Sequence, residues 1–320
     1  RRTQVINFFT AEETEDIGMN KRIYSYKTAG AYSDSVIFSA NCIKTGIDSF
    51  HRNHDVDHFP LAPTILGGEE IKFRKKHHIS EIDVLGSDGR KYVYGLPVYN
   101  KRQVEVTFSI NPTTDKKGNT RVEYVTGDNT DSNNKGRDWI VDKQEMPPYT
   151  HSYLLTELLS PNYVDVTGNG ITEDDMGDAV KFNYSKFNDY NWRTPVGNKT
   201  ASYSEGLKTD LKDDKAHYIY GERESWYLYS IESKNMVARF YVKDDRKDGR
   251  SVNGENDGSL KTTAGMQRLE RISLFSKADL VKYGNAAKPI KTVHFFNNNY
   301  KLCKNISATG KLGSNSIDTY

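Results

Sequence analysis

The segment Gln103-Val-Glu-Val-Thr-Phe-Ser-Ile110 alternates apolar and polar side chains with a period of two, and this constrains the fold more than any other feature of the chain. In an extended strand Val104, Val106, Phe108 and Ile110 share one face, while Glu105, Thr107 and Ser109 share the other. A helix would scatter the same residues around its axis. Similar runs occur at Ile79–Leu85, Lys91–Gly95, Ala216–Tyr220, Ser225–Ile231, Met236–Val242, Leu269–Phe275 and Ile290–Phe296. Ser87-Asp88-Gly89-Arg90 separates the first two, and an Asp-Gly step accommodates the positive φ of a tight hairpin. The expected fold class is therefore mostly β: antiparallel meander sheets with a few short helices.

Tyrosine supports this reading. The 21 Tyr outnumber 13 Phe and 3 Trp, and tyrosine suits a half-buried sheet face because its ring packs while its hydroxyl finds a polar partner. Apolar residues make up 36% of the chain and mean hydropathy is −0.76, so the core is lean relative to the surface. Lys plus Arg number 45 against 43 Asp plus Glu, a net charge of +2, which argues against a nucleic-acid partner. The short basic run Lys72–His78 reads as a solvated strand edge, with His77 and His78 at the surface. No apolar run approaches the ~20 residues of a membrane-spanning helix. Cys42 and Cys303 are expected as free thiols, although a disulfide stays open. The start at Arg1-Arg2, without methionine or signal peptide, reads as a piece of a larger parent polypeptide.

Helices are expected at two places. Thr172–Asp175 resembles a capping box before Met176, Ala179 and Val180, and Ser276–Asp279 repeats the pattern before Leu280 and Val281, with Gly284 as a stop. Tyr153–Leu159 is ambiguous between strand and helix. The polar stretches Asn111–Asp138 and Lys243–Gly265 read as exposed hairpin insertions. The prolines within Glu145–Thr150 mark a boundary between β-rich regions 1–148 and 149–320, unless the chain is one continuous module.

The clearest chemical signal is Asp165-Val-Thr-Gly-Asn-Gly-Ile-Thr-Glu173. It places side-chain oxygens at Asp165, Thr167 and Asn169, a backbone carbonyl at Ile171 and a carboxylate at Glu173, with Gly170 permitting the sharp turn. Oxygen ligands in that spacing suit a hard cation, and Ca2+ is the expected cofactor. Met176 replaces the twelfth-position Glu of an EF-hand, so the loop is closer to the nine-residue type. The alternative is a metal-free, Asx-rich turn. His51, His54, Asp55, Asp57 and His58 fit no standard zinc spacing and read as a polar loop. The chain has no GxSxG, Walker, CxxC or strand-following GxGxxG motif, and no catalytic residue is assigned.

Three phrases carry a resemblance: residues 152–185 (SYLLTELLSPNYVDVTGNGITEDDMGDAVKFNYS), 82–95 (IDVLGSDGRKYVYG) and 267–296 (QRLERISLFSKADL…PIKTVHFF). From Ile79 to Phe296 the chain resembles large exported bacterial proteins related to Rhs/YD-repeat proteins and the SpvB-like part of insecticidal Tc-toxin B components. That resemblance implies tyrosine-rich antiparallel strands in shell- or propeller-like sheets, occasional calcium loops and an extracellular or cell-surface location; it transfers no catalytic residue. The function expected from the sequence is a non-enzymatic β scaffold module of a large surface or secreted protein. One alternative is an adhesin module that binds a glycan or protein through Tyr190, Trp192, Tyr203, Trp226 and Tyr227. Another is a polysaccharide- or peptide-acting hydrolase, marked by a deep pocket with paired carboxylates.

Overall fold

A computed structural model describes residues 4–16, 75–111, 121–166, 171, 175–186, 189–206, 210, 212–243, 246 and 249–295. The chain opens with β1 (Val5–Thr10), α1 (Ala11–Asp16), β2 (Ile79–Leu85) and β3 (Lys91–Tyr94). A first excursion carries β4 (Leu96–Ser109), β5 (Arg121–Glu123), β6 (Val141–Met146) and β7 (Tyr149–Leu154). After β8 (Glu157–Leu159) and β9 (Ala179–Lys186), a second excursion carries β10 (Tyr190–Thr194), β11 (Gly197–Asn198), β12 (Thr200–Ser204) and β13 (Lys215–Arg223). Then come β14 (Trp226–Glu232) and β15 (Met236–Lys243). A third excursion holds β16 (Arg250–Val252), β17 (Asp257–Gly258) and β18 (Leu260–Gly265). The described chain closes with β19 (Arg268–Ser276), α2 (Lys277–Tyr283), a 3₁₀ turn at Gly284–Ala286 and β20 (Lys291–His294).

The strands outside the excursions form one nine-stranded sheet, and their spatial order β1-β2-β3-β8-β9-β14-β15-β19-β20 is their chain order. It is a meander interrupted three times. The first two excursions meet each other in a seven-stranded sheet, β5-β12-β13-β4-β6, with β10 also on β13 and β7 also on β4. The third contributes β17, which pairs with β11, and the β16–β18 hairpin. Every strand pairing among the described residues is antiparallel.

The alternation in β4 places the main core. Val104, Val106 and Phe108 lie opposite Tyr220, Tyr218 and Ala216 of β13, and all six are buried. Small residues sit where large ones need room: Ala216 faces Phe108, and Ala201 faces Val122. Phe108 meets the Tyr124 and Tyr218 rings edge-on at 5.1 and 6.3 Å, while those two tyrosines stack at 5.8 Å. The Asp-Gly turn forms as the sequence predicts, with Leu85 opposite Lys91 and Gly89 at φ 83°. Predicted helix α2 also forms, from the cap at Ser276 to Gly284, although the serine side chain makes no capping hydrogen bond.

Several expectations need correction. Met176 makes an antiparallel bridge to Val164, and Ala179 and Val180 lie in β9, so the expected apolar helix residues are not helical; hydrogen bonding across the loop outweighs their helical spacing. Tyr153–Leu159 is two strands in different sheets, β7 and β8. Among the described residues the polar stretches are not wholly exposed: Val122, Tyr124 and Val252 enter the core, and Asp128, Asn129, Asn133 and Ser251 are buried. Lys75–His78 is a turn before β2, and His78 is half-buried against the Tyr99 hydroxyl at 3.0 Å. The Glu145–Thr150 corner joins β6 to β7, and both pair with β4. Hydrogen bonding runs across residue 148 in both large sheets. Cys42, Cys303 and His51–His58 lie outside the described residues.

Phe108→Ala empties a fully buried ring site between two tyrosines. It should cost about 3–5 kcal/mol, read as a lower urea midpoint at little-changed slope.

Candidate functional site

The Asp165 loop leaves the nine-stranded sheet after β8 and returns in β9. Its base is a small ladder. Val164 and Met176 exchange both backbone hydrogen bonds at 3.0 and 3.1 Å, and Ser160 and Asp178 are linked at 2.9 Å. Gly177, at φ 82°, lies so close to the Pro161–Tyr163 turn that a Cβ would stand 2.5 Å from the Asn162 carbonyl oxygen. Asp175 is the clasp. Its carboxylate accepts the Tyr163 hydroxyl at 2.8 Å and the Val166 backbone N–H at 3.1 Å. Burial pushes the Tyr163 phenol well above its ordinary value, and the Asp175 carboxylate adds to the shift.

Among the proposed ion ligands, Asp165 is half-buried at the loop mouth and Ile171 lines a small cavity of about 30 Å3 beside Tyr163 and Asp175. Thr167, Asn169 and Glu173 lie outside the described residues. No group of three or more His, Cys, Asp or Glu gathers among the described residues. The described part fits an ion loop in one respect: the bridge joins the two ends, and Asp175, a rival carboxylate, is engaged by protein donors.

The same clasp occurs in the β12–β13 connection. There the Asp214 carboxylate accepts the Tyr203 hydroxyl at 2.9 Å and the Gly206 N–H at 3.1 Å. In both loops the N–H donor stands three residues after the tyrosine. Sequence reasoning missed this device; its signal is a tyrosine at the loop entrance and an aspartate at the exit.

A larger polar constellation ties the third excursion to the seven-stranded sheet. Arg193 is 3% exposed, with its guanidinium 4.3 Å from the Tyr218 ring centroid. It donates to the carbonyls of Glu255, Pro195 and Thr200 at 2.7, 2.6 and 2.5 Å, and to the Tyr124 hydroxyl at 3.1 Å. Glu255 accepts from Tyr218 at 3.0 Å, Arg102 at 2.8 Å and Lys143 at 3.3 Å. Asn129 donates to Tyr218 and Asn256. Burial pushes Glu255 up, but Arg102 and Tyr218, with the nearby Lys143 charge, outweigh it and hold the carboxyl below its ordinary 4.5.

The five aromatics of the adhesin alternative are half-buried and have internal contacts. The Trp192 ring lies over Gly221, where a Cβ would fall 2.5 Å from it. Arg223 stacks on Tyr190 at 5.0 Å, and Trp226 Nε1 donates to Glu224 at 3.4 Å. Tyr203 serves its clasp, and the Tyr227 hydroxyl accepts the Gln267 N–H at 2.8 Å. Comparison with protein-family models, curated proteins and solved structures yields no match.

Two outcomes are expected. Arg193→Met leaves three buried carbonyls without their charged donor and should lower stability by about 3 kcal/mol or more in urea titration. The Glu255 carboxylate contributes stability above pH 4.5, and this contribution is lost as pH falls through its lower folded value, because the unfolded chain takes up the proton first. Glu255→Gln should therefore flatten the acid side of the stability profile below pH 4.5.

Proposed function

We propose that this chain is a non-enzymatic β scaffold module of a large surface or secreted bacterial protein, locally stabilised by calcium at the Asp165 loop. The supporting observation is how the buried polar groups are used. Glu255, a half-buried carboxylate, is held by Arg102, Lys143 and Tyr218, while Arg193 fastens three backbone carbonyls of two excursions. These contacts hold strands together. The resemblance to Rhs/YD-repeat-related proteins supports an extracellular setting and a larger parent polypeptide as partner. The internal contacts of the five aromatics weigh against the adhesin alternative. Among the described residues no helix is long and apolar enough to cross a membrane.

In this reading the ion is held by Asp165, Thr167, Asn169, the Ile171 carbonyl and Glu173, neutralising an acidic loop. The Asp175 clasp closes the loop base without the ion, so calcium should act on the loop alone. Heat denaturation of the full chain in calcium and in chelator separates the two contributions. Calcium should raise the midpoint, by the equivalent of about 2.7 kcal/mol at a hundredfold excess over Kd, and Asp165→Ala should remove that response. Asp175→Asn should lower the midpoint in both buffers. An identical melt with and without calcium would sink the ion. Cleavage of a polysaccharide or peptide panel, abolished by Glu255→Gln in a folded variant, would sink the scaffold.

A further inference from the structure

At one end of the nine-stranded sheet, β15, β19 and β20 carry a groove of about 270 Å3, on a different sheet from the strands of the Arg193 constellation. Its floor follows from two antiparallel registers. Arg239 lies opposite Ser273, which lies opposite Thr292; in the next row Tyr241 lies opposite Arg271, which lies opposite His294. Directly opposed residues in such rows have Cα atoms about 4.5–5.5 Å apart, and diagonal neighbours are about 7–8 Å apart. Two guanidinium groups, an imidazole and two hydroxyls therefore share one face of three adjacent strands.

Packing orients these groups. The Arg271 guanidinium lies 3.8 Å from the Tyr241 ring centroid and that of Arg239 5.3 Å from Phe275. Ser273 Oγ and Thr292 Oγ1 are 3.1 Å apart. Ala287 and Pro289, after α2, form a wall. The described residues lining the groove include no carboxylate. Glu270, next to Arg271 in sequence, accepts from it at 2.8 Å and also pairs with Lys243.

A second observation makes this more than a basic patch. The Arg239–Ser273 row continues inward through Ser230 to Asn183, and all four residues are 3% exposed or less. Buried positions in a sheet normally take apolar side chains, because buried polar groups are costly unless paired. Here a polar row runs from the sheet interior into the groove.

We propose that this groove binds a dianionic oxyanion, a phosphate or sulfate group, with Arg239 and Arg271 supplying the charge and Ser273, Thr292 and His294 supplying further donors. The number of groups selects the ligand class. One arginine already satisfies a carboxylate in bidentate fashion, whereas two arginines with hydroxyl and imidazole donors match three or four tetrahedral oxygens and two negative charges. The apolar wall leaves room for an organic body bearing the group. This proposal is independent of the scaffold and calcium readings.

Isothermal titration calorimetry on the full chain tests it, with inorganic phosphate, inorganic sulfate, ribose 5-phosphate and acetate at matched ionic strength. Saturable binding of phosphate and sulfate is expected, weakened roughly tenfold or more by Arg271→Gln. Arg90→Gln, the same charge loss in the exposed β2–β3 turn, should leave it unchanged. If Arg271→Gln fails to fold, His294→Gln on the exposed edge strand takes its place, with the same loss expected. Tighter binding of ribose 5-phosphate than of phosphate supports an organic phosphate as the natural source, and equal affinity supports the free anion. Absence of saturable binding, equal binding of acetate, or affinity untouched by the groove variants overturns the proposal.

Discussion

Backbone hydrogen bonds between β4 and β13 join the first excursion of the chain to the second, from Ser109 opposite Lys215 to Asn100 opposite Arg223. Almost everything in the seven-stranded sheet hangs on this ladder. The outer side of β4 takes β6 and β7, and that of β13 takes β10 and β12. The ladder also aligns the buried faces of the two strands, since a slip of one residue would turn Val104, Val106 and Phe108 away from the core. The nine-stranded meander is tied to it, because an excursion lies between β3 and its neighbour β8, and another between β9 and its neighbour β14.

Tyrosine explains how so lean a core holds together. Tyr124 and Tyr218 supply stacked rings to the interior and hydroxyls to Arg193 and Glu255. Tyr163 and Tyr203 do the same at loop closures, each fixing an aspartate that also takes a backbone N–H. Each of these residues joins the apolar and polar parts of the structure, so fewer purely aliphatic side chains are required.

The strands were legible because one buried face imposes a period of two, as in Met236–Lys243, where Val237, Arg239 and Tyr241 are buried. Arg239 shows where that legibility stops: an arginine reads as solvent-facing until the register places it inside. Arg193 escaped for the same reason. Asn129, Asn133 and Glu255 lie in stretches whose composition matches an exposed loop, yet their polarity serves buried partners. At the loop, the spacing of Asp165 to Glu173 was visible in the sequence, whereas the role of Asp175 depended on Tyr163, twelve positions earlier and across the bridge.

The interrupted meander has a kinetic consequence. Phe108 must wait for Ala216, and Val93 for Glu157, so much of the native pairing joins segments that leave the ribosome far apart in time. Such topologies fold slowly, because distant ends must be brought together before the contacts reward them. Until β13 arrives, the long apolar face and open edge of β4 are exposed to any other strand nearby. Synthesis from the N-terminus thus creates a period in which the half-made chain needs protection, and the same order of events sets its main route to aggregation.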